Sequence, residues 1–275
     1  MTARDDDLAS FARLVDAVRP WHRHLVVVGG WAHRLHRLFP DARVPAHASI
    51  RTLDADLAFD TRTRLQGDIG AALVAAGFRE ELATEHGPPV SWYRPGEEGG
   101  FYTKFITPLL GSANRRDGTP DAAEPRAGVT AQKLRHVDLL VTAPVPLVLA
   151  PGGEIPVAAA ASVLVAHPAC FIAQKLLIAS RRTPAKRAQD VLYVHDTLEL
   201  FAGSLRALSG HWRSHVSRSL HPRTSATLEI AIGEQYGHVT DVVRQAALIP
   251  QDRRLDPERM RMLCELGLKR IFGSA

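Results

Sequence analysis

The chain has 275 residues, 45% of them hydrophobic and 23% charged, which is ordinary for a soluble globular protein and long enough for one generous domain or two small ones. No apolar run is long enough to span a bilayer, and the N-terminus, MTARDDDLAS, lacks the apolar core of a secretion signal. The formal charge of +5 permits a polyanionic partner such as RNA or a nucleoside triphosphate without requiring one.

Residues 8–19 place apolar side chains at helical spacing, and Pro20 ends that pattern. Leu25 to Val28 reads as a short buried strand running into Gly29-Gly30. WAHRLHRLF then opens as a helix, and Pro40 and Pro45 bracket a loop. Thr52 to Phe59 reads as the next strand. Residues 64–77 read as a helix stopped by Gly77. VSWYRP and FYTKFITPLL pattern as two strands of a meander joined through Pro95 to Gly100, and residues 111–131 as a mobile loop. LRHVDLLV is expected to be a strand, with PLVLA and GEIPVA as short strands of the same sheet. From Pro168 the pattern turns helical: PACFIAQKLLIASRR, then AKRAQDVLYVHDTLELF, then further helices with breaks near Pro222, Gly237 and Pro250.

Two cysteines, Cys170 and Cys264, form no CxxC pair and no Cys/His cluster with zinc spacing. They read as small buried hydrophobes of a reduced, cytoplasmic protein. His33 and His36, three apart, share a helix face.

The chemistry concentrates at Asp54-Ala55-Asp56. Side chains two apart on a strand point to the same face, so two carboxylates are forced side by side. They repel, and one pKa rises, unless something positive lies between them. A divalent cation with oxygen ligands, Mg2+ or Mn2+, resolves the conflict. Asp138, flanked by Val137 and Leu139 on the expected strand, offers a third carboxylate. Gly29-Gly30, between a Val-rich strand and a helix, lets backbone N–H groups approach an anion closely. The pattern is neither GxGxxG nor a P-loop.

A strand, a Gly-Gly turn, a helix, a DxD strand and a later lone Asp together resemble the nucleotidyltransferase superfamily, with its DNA polymerase beta-like fold. Within it, the segments VVGGWAHRLH, TLDADLAF, HVDLLV and HPACFIAQKLLIASRRTPAKRAQD resemble bacterial nucleotidyltransferase-like proteins of the AbiEii/MenT toxin type. The resemblance covers roughly residues 25–200. It implies an α/β (α+β) nucleotidyltransferase domain over residues 1–166, with a mixed sheet flanked by helices. A helical domain follows over 167–275, with the active site in the cleft between them.

By the same resemblance Asp54, Asp56 and Asp138 are the catalytic, metal-binding carboxylates. Gly29, Gly30 and Lys175 hold the triphosphate, and Asp190 is a further active-site carboxylate. Arg51, beside the DxD strand, reaches either a phosphate or an acid. The basic run Arg181, Arg182, Lys186 and Arg187 is either a solvated surface or a phosphate contact. The implied enzyme moves a nucleoside monophosphate from an NTP to RNA, tRNA in particular, and as a toxin would have a cognate antitoxin; no membrane partner is expected. The alternatives are transfer to a small molecule or a protein side chain, and a nucleotide- or RNA-binding regulatory module without turnover.

Overall fold

The computed structural model describes residues 3–83, 90–96 and 100–273. The chain divides into two compact units. One comprises Met1–Ala32 with Arg51–Ala166, the other His33–Ile50 with His167–Ala275.

The first unit is built on a mixed sheet of nine strands among the described residues: β1 (Val26–Val28), β2 (Asp54–Ala58), β3 (Arg79–Ala83), β4 (Val90–Arg94), β5 (Tyr102–Pro108), β6 (Ala123–Arg126), β7 (Val129–Leu134), β8 (Val145–Leu149) and β9 (Ala161–Val165). The main path runs β3-β4-β5-β2-β1-β9-β8, and β7 joins β5 and carries β6. The DxD strand β2 is therefore interior, antiparallel to β1 and parallel to β5. Alternation gives it two faces. Leu57, with Val27 of β1, lies among Phe11, Leu14 and Val15 of α1 (Ala3–Ala17). Asp54 and Asp56 take the other face. The fold class expected from the sequence, a mixed α/β sheet followed by helices, is the one observed.

Several elements differ from the sequence reading. The segment expected as a mobile loop over 111–131 contains most of the β6–β7 hairpin. Its tip is Ala127-Gly128, both at positive φ (48° and 77°), as a two-residue hairpin turn requires. A Cβ on Gly128 would overlap Asp68 Oδ1, at 1.8 Å. That same oxygen accepts the Ala71 N–H at 2.8 Å and caps α3 (Ile69–Ala75). The cap explains why α3 starts at Ile69 rather than near residue 64. Strands β3 and β9 were not foreseen, and GEIPVA forms no strand.

The largest correction concerns LRHVDLLV. Its strand portion belongs to β7, and Val137–Val141 is a short helix, α4, entered through His136 in the left-handed conformation (φ 63°). Val137, Leu139 and Leu140 are buried, a set that one helical turn can bury as well as an alternating strand. Five residues were too few to separate the two periods.

The second unit holds α5 (Pro168–Ile178), α6 (Pro184–Leu200), α7 (Leu205–His211), α8 (Pro222–Tyr236), α9 (Asp241–Ala247) and α10 (Pro257–Phe272). Pro occupies the first turn of α5, α6, α8 and α10, where its missing N–H costs nothing. The helix α2 (Gly29–His36) begins in the first unit, and its last four residues belong to the second. There His36, Phe39, Phe171 and Phe201 form an edge-to-face aromatic cluster. Both cysteines are buried and free. No helix among the described residues is long and apolar enough to cross a membrane.

Candidate active site

The sheet register places the DxD pair. Asp56 is in register with Val28 on β1 and with Lys104 on β5, and Asp54 with Tyr102. Residues in register share a face, so Lys104 lies beside both acids. Its Nζ is 3.3 Å from Asp56 Oδ1 and 3.8 Å from Asp54 Oδ2. Lys104 thus offsets part of the carboxylate repulsion that the sequence reading assigned to a divalent ion. Asp56, seconded by Asp54, holds Lys104 protonated above the ordinary lysine value even though burial opposes it. Thr52 Oγ1 donates to Asp54 Oδ1 at 2.5 Å.

Above the acids the backbone turns from β1 into α2 at Gly29. Its φ is +64°, and an added Cβ would stand 2.8 Å from Asp56 Oδ2. Glycine is thus required twice here, for the left-handed backbone and for the close approach of the carboxylate. Gly30 follows inside α2 and is buried. Beside the acids, Trp92 stacks on Tyr102 at 4.8 Å, and the Arg94 guanidinium lies 5.0 Å from the Tyr102 ring.

Asp138 stands on α4 rather than on the expected strand, and its side chain is exposed to solvent. A helical turn that buries Val137, Leu139 and Leu140 leaves Asp138 on its outer side. Arg51 pairs with an acid: its Nε is 2.7 Å from Asp7 Oδ2.

In the second unit the structure does bring together Lys175 and Asp190. Lys175 Nζ is 2.7 Å from Asp190 Oδ1, both side chains are buried, and Arg182 Nε reaches Asp190 Oδ2 at 2.9 Å. The ammonium also lies over the rings of Phe171 and Tyr193, at 5.4 and 5.1 Å. His33 stands against Tyr193 and Phe171. It is 1% exposed, and neither ring nitrogen has a hydrogen-bond partner among the described residues. Burial pushes its pKa down to about 3. Arg181 and Lys186 are exposed.

Among the described residues, two further groups have ligand atoms close enough to hold a metal ion, within 4.8 Å of one another: His47, Asp196 and Glu199, and His167, Cys170 and His211. The first is already tied by Arg253, which donates to Asp196 at 2.6 and 2.7 Å. The second brings Cys170 together in space with two histidines, where the sequence showed no Cys/His cluster with zinc spacing. Its histidine rings lie parallel, 3.4 Å apart and within 3°. Their lone pairs therefore run side by side and do not converge on one ion. Burial holds His167 down at about 2 and pushes the Cys170 thiol up to about 12.

A family model described as Nucleotidyltransferase matches residues 6–217. The chain belongs to that nucleotidyltransferase family. The match spans both the Gly29–DxD site and the Lys175–Asp190 pair. Two solved structures are similar to this nucleotidyltransferase at low identity. An antigenic nucleotidyltransferase-like protein from Paracoccidioides brasiliensis is 16% identical, with a TM-score of 0.37, over 82% of this chain and 93% of the other. MenT4, a nucleotidyltransferase toxin from Mycobacterium tuberculosis, is 15% identical, with a TM-score of 0.34, over 99% and 94%. No curated protein matches the chain.

Two carboxylates and one ammonium leave the DxD site with a single formal negative charge. That donor set suits one hard divalent cation, Mg2+ or Mn2+, through Asp54 and Asp56.

Proposed function

We propose that this nucleotidyltransferase moves a nucleoside monophosphate from an NTP to an RNA acceptor, tRNA in particular, using the site formed by Gly29, Asp54 and Asp56. The observation that carries the reading is the contact between the Gly29 turn and the Asp56 carboxylate, which puts a phosphate-approachable backbone directly over paired acids. Asp54 and Asp56 hold the divalent ion, which when bound screens the triphosphate charge and polarises the phosphoryl group. Thr52 fixes the Asp54 carboxylate by its hydroxyl. Gly29 and Gly30 let the chain approach the phosphates without a side chain intervening.

Lys175 contacts phosphate in this reading, oriented by Asp190, and Arg182 shares the same carboxylate. Arg51 is engaged by Asp7 and has no part in the reading. Asp138, exposed on α4, is left out of the metal set. The basic net charge and the exposed Arg181 and Lys186 favour an RNA acceptor over a cationic small molecule. A toxin role with a cognate antitoxin is the biological setting of this reading, in keeping with the toxin-type resemblance of its sequence segments.

The test is incubation with each labelled nucleoside triphosphate, Mg2+ and total cellular RNA, followed by separation of the RNA species. Label should enter RNA with the wild type and not with Asp56→Asn. Label entering protein or a small molecule instead would overturn the acceptor assignment.

A further inference from the structure

We propose that Lys104 is a built-in second cation of the nucleotide site, so that Asp54 and Asp56 take one divalent ion where three carboxylates would take two. The inference rests on the reading of Asp54 and Asp56 as metal ligands. Its own ground is the register of β5. Within the sheet, the side chain that reaches both acids is the one on a neighbouring strand, on the same face and level with Asp56. On β5 that position is Lys104, and it touches both acids. Asp138, expected on a later strand, is on α4.

Charge explains the count. Three carboxylates carry enough negative charge to balance most of two divalent ions. Here the acids and Lys104 together carry a single formal negative charge. One divalent ion makes the site modestly positive, which complements a triphosphate. A second would crowd two divalent ions and an ammonium around two acids. Unlike an ion, Lys104 cannot leave. Its stem belongs to a strand held between β2 and β4, and its side chain is only 18% exposed. Lys104 also sets the strength of metal binding, because an incoming ion meets a like charge within about 4 Å of the same oxygens.

Mn2+ titration of the full chain, read by electron paramagnetic resonance of the free ion, tests this without any turnover. The wild type should bind one Mn2+ and lose it in Asp56→Asn. Lys104→Met should bind the single ion about tenfold more tightly or better, and Lys104→Asp should bind two. Two Mn2+ on the wild type, both lost in Asp56→Asn, would overturn the proposal while leaving the metal reading intact. Unchanged Mn2+ affinity in Lys104→Met would overturn it in the same way. Mn2+ binding that is absent, or indifferent to Asp56→Asn, would instead remove the metal reading beneath it. Should Lys104→Met melt early, the gain in Tm on adding Mn2+ decides: a larger gain than the wild type's supports the proposal, and an equal gain contradicts it.

Discussion

Gly29 and Asp56 are packed so closely that a single added methyl group would stand 2.8 Å from the Asp56 Oδ2. The turn and the acid are therefore one unit, although 27 positions separate them in sequence. Gly29→Ala combines this clash with a backbone at φ +64°. It is expected to cost at least about 1–2 kcal/mol in denaturant unfolding and to displace Asp56, with a large loss of nucleotidyl transfer. Retention of both stability and activity would show that the turn and the acid are independent.

Asp138→Asn is expected to be silent. The side chain is exposed and its α4 neighbours supply the packing, so stability should change by no more than about 0.5 kcal/mol. Transfer activity should match the wild type, in contrast with Asp54→Asn and Asp56→Asn. A loss as severe as theirs would return Asp138 to the catalytic set.

The Lys175–Asp190 pair predicts an asymmetry. Removing the acid by Asp190→Asn strands a buried ammonium between Phe171 and Tyr193, and breaking a buried pair from one side costs about 3–5 kcal/mol. Removing the base by Lys175→Met leaves Asp190 with Arg182 at 2.9 Å, so the loss should be smaller. Equal destabilisation, measured by urea unfolding, would mean that Arg182 does not support the carboxylate.

Acid should weaken the fold through its buried histidines. His33, His167 and His211 are held down at about 3, 2 and 4, in each case chiefly by burial. Their unfolded values lie near 6.5, so below that pH the unfolded chain binds protons that the folded chain refuses. The stability is complete above about pH 6.5 and falls as pH drops toward the folded values. Each histidine contributes a slope of up to about 1.4 kcal/mol per pH unit. His33→Leu should make the decline between pH 6.5 and 5 shallower, as read from urea midpoints.

The sequence showed most of what places the site and little of what completes it. Leu25–Val28, Gly29-Gly30 and the DxD alternation were legible because each is local: strand period, turn residue and paired acids lie within a few positions of one another. Lys104 was not, since its role depends on which strand pairs with β2, and a single lysine in FYTKFITP does not state its neighbour. Its signal was being the one charged residue in an otherwise apolar and hydroxyl-bearing strand. The helix at Val137–Val141 was not legible because VDLLV satisfies a short strand and a single helical turn equally well. The meeting of His167, Cys170 and His211 likewise follows from helix packing across some forty positions, which no local pattern encodes.

Pyrophosphate release from NTP in the presence of RNA is the most direct measure of the central claim, with wild type, Asp54→Asn and Asp56→Asn compared at equal, verified fold stability. The account predicts steady release by the wild type and a loss of about a hundred- to a thousandfold in either variant, on the scale of removing a principal electrostatic stabiliser. Release by Asp56→Asn at the wild-type rate would contradict it.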